Sequence, residues 1–164
     1  MEMPEKLQID RIDRKILAIL QEDGRITNHK LADHVSLSPS ACLARVKRME
    51  KNGVIAGYKA QVDVTKLGRS VTIFAELTSS AHDATSNRNI EEALQKIPEV
   101  IEAYRVSGRY DYLVRFLVPD VERWTVLADE LTDGTLQIET IRTVASMRQI
   151  KSWTGVPMDA EKCA

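Results

Sequence analysis

Over roughly the first fifty positions, apolar residues recur at helical spacing in three short blocks, and each block opens on a residue suited to cap a helix. Asp10 precedes Ile12, Ile16, Ile19 and Leu20, and Asp23-Gly24 closes that run. Thr27 caps a second helix with Leu31, Ala32 and Val35 on its inner face, and Ile26 and Leu31 flank the cap as a hydrophobic staple. This helix ends near Val35, because Ser36-Leu37-Ser38-Pro39 must turn the chain. The third block runs to Gly53. Ser38 is its N-cap, Pro39 takes the first helical position, where a missing donor is harmless, and Gly53 is the left-handed stop. Its inner stripe is Cys42, Val46 and Met49. Ser40, Ala44, Lys47 and Lys51 project to the far side, with Arg45 and Arg48 toward the flank. A packing helix followed by two short capped helices predicts a tri-helical helix-turn-helix, although a plain three-helix bundle shows the same caps and stripes.

Beyond Gly53 the period shortens. Val54-Ile55, Gly57-Tyr58 and alternating Ala60 and Val62 read as an extended stretch. Val71 to Leu77 alternates as a strand, and the polar run SSAHDATSN follows it. Ile90, Ala93, Leu94 and Ile97 then mark an amphipathic helix stopped by Pro98. Strands are expected over Val100 to Ser107 and Tyr112 to Val118, joined by a turn at Gly108-Arg109-Tyr110-Asp111. Pro119 and Asp120 open a helix with Trp124, Leu127, Ala128 and Leu131 inward, and a last strand covers Glu139 to Ile150. The order β-α-β-β-α-β predicts a ferredoxin-like plan, with two helices on one face of an antiparallel sheet. The other face is bare, and an apolar bare face invites a partner chain. The expected fold is thus α+β, an N-terminal tri-helical (winged) helix-turn-helix domain joined to a C-terminal ferredoxin-like βαββαβ domain.

Composition narrows the function classes. At 164 residues and 43% apolar, the chain can build one or two real cores. No apolar run approaches the roughly 18 residues of a membrane span, and MEMPEKLQID has no apolar leader core, so a cytoplasmic location is expected. Cys42 and Cys163 make neither a metal pattern nor a disulfide framework, and no cofactor motif is present. The net charge of −1 hides a mild asymmetry: up to residue 63 there are 11 Lys and Arg against 9 Asp and Glu, and after it 12 against 15.

That asymmetry sharpens on the third helix. Its Lys and Arg can neutralise phosphates, and Arg can also bridge guanine O6 and N7 in a major groove, so double-stranded DNA is the expected partner. Base contacts are expected from Ser40, Ala44, Arg45 and Arg48, and phosphate contacts from Lys47 and Lys51. Ser38 is also expected among the DNA-binding residues, although as the cap its side chain is less suited to a phosphate contact than that of Ser40. Asn28, at the start of the second helix, is placed to meet a phosphate with backbone N–H groups. His29 and His34 are five residues apart, too far round the helix for paired metal ligation, and read as surface residues.

The stretches IDRIDRKILAILQEDGRIT and LSPSACLARVKRMEKNGVIAGYKAQVD resemble the N-terminal domain of the Lrp/AsnC family of regulators, and the likeness continues through nearly the whole chain. The resemblance implies a helix-turn-helix domain over 1–53, a strand-bearing linker over 54–69, an effector-binding and oligomerising ferredoxin-like domain over 70–156, and a tail over 157–164. It implies a reading helix in the major groove, homodimers assembling to tetramers or octamers, and a small effector, usually an amino acid, held between dimers.

Gly108-Arg109-Tyr110-Asp111-Tyr112 matches the family's Gly-x-x-Asp-Tyr loop. By that match Asp111 faces the ligand's ammonium group, and N–H groups near Gly108 favour its carboxylate. Thr143, Ala145, Ser146 and Met147 match positions lining the other side. The same loop residues also suit a plain hairpin turn, and Arg109 can contact an acidic ligand group or face water. The resemblance implies a DNA-binding regulator sensing an amino acid or related metabolite, associated with the nucleoid. A nucleoid-architectural protein without effector shares the same parts. Similar proteins that decarboxylate tetrapyrroles use second-domain His and Arg residues, whereas the second half here has one histidine, His82.

Overall fold

The computed structural model describes residues 8–81 and 83–158. His82 and Cys163 therefore lie outside the described residues. The chain separates into two compact units. Of the described residues, one unit comprises those up to Gln61 together with 151–158, and the other those within Val62–Ile150.

The first unit contains α1 (Arg11–Glu22), α2 (Asn28–His34) and α3 (Pro39–Lys51). All three expected caps form: Asp10 accepts from Ile12 and Asp13 N–H groups, Thr27 from Lys30 and Ser38 from Ala41. Ile16, Leu31, Ala32, Val35, Cys42, Val46 and Met49 close a core where the three helices meet.

Both helix ends in the reading motif are Schellman turns. After α3, Gly53 (φ 71°) lets its N–H reach Glu50 O and the Val54 N–H reach Met49 O. After α2 the same two bonds run from Ser36 to Asp33 O and from Leu37 to Ala32 O, but the left-handed position is held by Ser36 at φ 56°.

The expected strand in Val54 to Asp63 does not form. Among the described residues no strand runs beside the segment to complete a ladder, so its alternating residues stay in unpaired backbone. Ile55 packs on the helical core, and the Tyr58 hydroxyl donates to Glu50 Oε1 at 3.0 Å. The described C-terminal stretch, 151–158, makes contacts with the first unit. Gln21 Nε2 donates to Val156 O at 3.1 Å, Val156 N donates back to Gln21 Oε1, and Met158 packs against the helical core.

The second unit is β1 (Val71–Ser79), α4 (Ala84–Lys96), β2 (Val100–Arg105), β3 (Tyr112–Val118), α5 (Val121–Leu131) and β4 (Ile138–Ala145). Its sheet is antiparallel throughout, in the order β2-β3-β1-β4. Ile73, Ala75 and Leu77 of β1 and Val114, Phe116 and Val118 of β3 point at Ile90 and Leu94 of α4 and Trp124, Leu127 and Leu131 of α5. Phe116 and Trp124 meet with centroids 5.0 Å apart and planes at 58°, a tilted pair that adds about 1 kcal/mol beyond its burial.

Several boundaries differ from expectation. α4 begins at Ala84, because Asp83 caps it through the N–H groups of Thr85 and Ser86, so half of the expected polar loop is helix. β2 stops at Arg105, and β4 stops at Ala145 rather than Ile150. β4 ends there because its partner runs out: the Ser146 N–H still reaches Thr72 O, one residue from the start of β1.

Candidate DNA-reading and effector sites

On α3 the buried stripe is Cys42, Val46 and Met49, as the spacing requires. Ser40, Ala44, Lys47 and Lys51 are exposed on the opposite side. Ser38 Oγ, while capping, also lies 3.2 Å from Ser40 Oγ. Burial of Cys42 pushes its thiol pKa up, which keeps it protonated and inert.

Arg45 and Arg48 both pair with carboxylates of this chain. Arg45 Nη1 donates to Asp10 Oδ2 at 2.6 Å and Asp13 Oδ1 at 2.9 Å, and Arg48 Nη2 donates to Asp13 Oδ2 at 2.6 Å. The Asp13 side chain is 0% exposed, and its Oδ2 also accepts from Asp10 N at 3.1 Å. Asp10 and Asp13 thus form a capping box whose two carboxylates grip α3 from α1. The grip satisfies a buried carboxylate that would otherwise be very costly. The backbone N–H of Asp13, and then the Arg45 guanidinium, hold the Asp10 carboxyl at about 2.

The Asn28 side-chain amide donates to Pro39 O at 2.8 Å and ties the start of α2 to the start of α3. Sequence reasoning missed Asp13, which is signalled by its place three after the Asp10 cap. Leu43, 41% exposed, flanks the outward stripe.

In the second unit, Gly108 at φ 140° opens the loop between β2 and β3, a conformation that favours glycine. The Val106 N–H closes the loop onto Asp111 O at 2.9 Å, and the Asp111 N–H reaches Leu77 O at 2.9 Å. Asp111 Oδ2 accepts from Ser79 N at 2.8 Å, just where the β1–β4 register shifts between Thr78 and Ser79. The carboxylate thus satisfies a β1 donor that lies past the last β1–β3 pair, Leu77 with Tyr112. Arg109 Nη2 reaches back over the uncovered sheet face to Glu76 Oε2 at 3.3 Å, and its side chain stays 69% exposed. Tyr110 is half-buried. Tyr112 is a core residue whose hydroxyl donates to Asn87 Oδ1 at 3.2 Å. Desolvation raises its pKa.

The two halves of the expected effector site do not meet within one chain. The loop lies at the Leu77 end of β1, whereas Thr143 and Ala145 pair with Ala75 and Ile73, and Ser146 with Thr72. Ile73 and Leu77 are roughly 13 Å apart at the rise of an extended strand. Thr143 and Ala145 share the helix-covered face with Ala75 and Ile73, and Met147 is 95% exposed.

The uncovered face carries Phe74, Tyr104, Leu113, Leu117 and Val144 among charged pairs, with Arg115 bridging to Glu102 at 3.4 Å and lying over the Phe74 ring at 5.9 Å.

Residues 9–56 match the family model described as winged helix-turn-helix DNA-binding, and residues 72–156 match the Lrp/AsnC ligand binding domain. The chain is 38% identical over 143 residues to the leucine-responsive regulatory proteins of Klebsiella pneumoniae and Escherichia coli K12, covering 87% of each chain. An AsnC family transcriptional regulator from Agrobacterium tumefaciens superposes with a TM-score of 0.85 at 37% identity, covering 92% of this chain and 97% of that one. A transcriptional regulator of Neisseria meningitidis, solved as a complex with L-Met, superposes with a TM-score of 0.86 at 26% identity, covering 93% and 98%. With a helix-turn-helix unit and a four-stranded ligand-binding unit both matched, the chain belongs to the Lrp/AsnC family of DNA-binding transcriptional regulators.

Proposed function

We propose that this regulator reads a two-fold DNA site through α3 of two copies and is tuned by an amino acid or closely related metabolite held between chains. The observation that carries the DNA half is the division of α3: one stripe is locked in the core, and the opposite one presents Ser40, Ala44, Lys47 and Lys51 outward. Lys47 and Lys51 neutralise phosphates, and Arg48, whose side chain is 43% exposed, keeps guanidinium nitrogens for the same backbone. In a gel-shift titration across salt on DNA selected by the full-length protein, Lys47→Ala reduces the log–log salt slope by about one for each phosphate that the lysine neutralises. An unchanged slope and affinity rejects α3 as the reading element.

The effector half rests on the separation of the loop and the β4 end within one chain. They line a common pocket when Gly108 to Asp111 of one copy approaches Ser146 and Met147 of another. The apolar residues of the uncovered sheet face supply a surface for the first pairing of copies, and further association to tetramers or octamers brings the loops together. The complex of the Neisseria regulator with L-Met supports an amino acid as the ligand class. Thermal-shift screening of the common amino acids tests this, since a ligand bound only to the folded state raises Tm. If none does so at millimolar concentration, the architectural reading without effector takes its place. The curated relatives are regulators, which supports this reading over tetrapyrrole decarboxylation, and a regulator of this kind works in the cytoplasm on nucleoid DNA.

A further inference from the structure

Leu43 is the largest apolar side chain that α3 leaves exposed, at 41%. It stands three residues after Ser40 and four before Lys47, so helical spacing sets the three side by side, with Ala44 adjacent. The core does not use it, because Cys42, Val46 and Met49 already fill the inner stripe. Leu43 therefore places an apolar group on the flank of the outward stripe, beside Ser40 toward the N-terminus of the helix and Lys47 toward its C-terminus.

The arginines that would otherwise dominate base reading are drawn back to α1, Arg45 by Asp10 and Asp13 and Arg48 by Asp13. Phosphates offer nothing to an apolar side chain. Along the major groove the apolar group presented by the base pairs is the C5-methyl of thymine. Reading helices meet base edges chiefly through their N-terminal residues, and Leu43 lies in the second turn of α3. We propose that Leu43 is a specificity-determining residue that packs on the C5-methyl of a thymine in each half-site. This rests on the reading of α3 as the helix in the major groove.

The test uses the full-length protein and DNA selected by it from a random pool, with each thymine of one half-site replaced in turn by deoxyuridine, which removes only the methyl. At one position the replacement weakens binding about fourfold, the scale of one buried methyl-sized group. The same replacement costs Leu43→Ala nothing. Deoxyuridine that is neutral to the parent protein at every position overturns the proposal, as does a penalty equal in the parent and in Leu43→Ala. Both of those results leave DNA binding through α3 standing, whereas a parent protein that selects no DNA overturns that function and this residue's role with it.

Discussion

Arg48 Nη2 lies 2.6 Å from Oδ2 of Asp13, a carboxylate that is wholly buried although it sits in the first turn of α1. The pair joins the first helix to the reading helix through charge, and it does so alongside Arg45. Asp13→Ala is expected to destabilise the first unit by about 3 kcal/mol, at the low end for breaking a buried pair because both guanidinium groups can regain water. Arg48→Ala should cost less, about 1–2 kcal/mol, since Asp13 keeps Arg45 and the Asp10 N–H. Urea denaturation followed by a probe in the helical unit measures both, and equal costs would refute the asymmetry.

Ser36 occupies a left-handed conformation in which a side chain is disfavoured by about 1–2 kcal/mol. Ser36→Gly should therefore raise the stability of the helix-turn-helix by about 1 kcal/mol, and Ser36→Val should lower it. Melting temperatures of the two variants, moving in opposite directions, check the turn geometry directly.

Asp111 serves the sheet through its bond to Ser79 N, whatever it offers a ligand. Asp111→Ala should cost the second unit about 1–3 kcal/mol by stranding that donor, and Asp111→Asn, which keeps an acceptor oxygen, should recover most of it. Amino-acid response separates the roles. If Asp111→Asn is as stable as the parent yet loses the Tm response, the carboxylate charge meets the ligand.

Acid should weaken the first unit in a defined window. The Asp10 carboxyl is held at about 2, below its ordinary value of 3.8, so the ionised form is the one that the fold favours. Its contribution is complete above the ordinary value and is lost as pH falls from about 4 toward 2. The carboxyls of Asp83, Glu99 and Asp133 in the second unit shift in the same direction, held down by Ser86, Arg123 and Thr135 respectively. Tm measured against pH should fall over that range, and Asp10→Asn, still a capping residue, should flatten the slope for the helical unit.

Periodicity and caps make most of the fold legible. Asp10, Thr27, Ser38 and Asp120 each open a helix where the apolar spacing begins, and Pro98 and Gly53 mark ends. These signals are local, acting within one turn of helix, and so can be read from neighbouring residues. The failures involve partners distant in sequence. The alternation of Ala60 and Val62 marks a segment able to extend, but a strand also needs a second strand. The outward place of Arg45 and Arg48 depends on carboxylates more than thirty residues away. Likewise, Gly108 to Asp111 is identifiable as a loop with ligand chemistry, while the register that sets it at the far end of the sheet from Ser146 is a property of strand pairing.

The carboxylate grip on α3 also divides the reading helix by how freely it can evolve. Arg45 and Arg48 are bound to Asp10 and Asp13, so a change at any of the four disturbs the others and the fold with them. Ser40, Leu43, Ala44 and Lys47 have no such tie to the core. On the proposed reading of α3, duplicated copies of this gene can therefore drift to new target sites by substitution at those four positions, keeping the scaffold unchanged while the DNA address diverges.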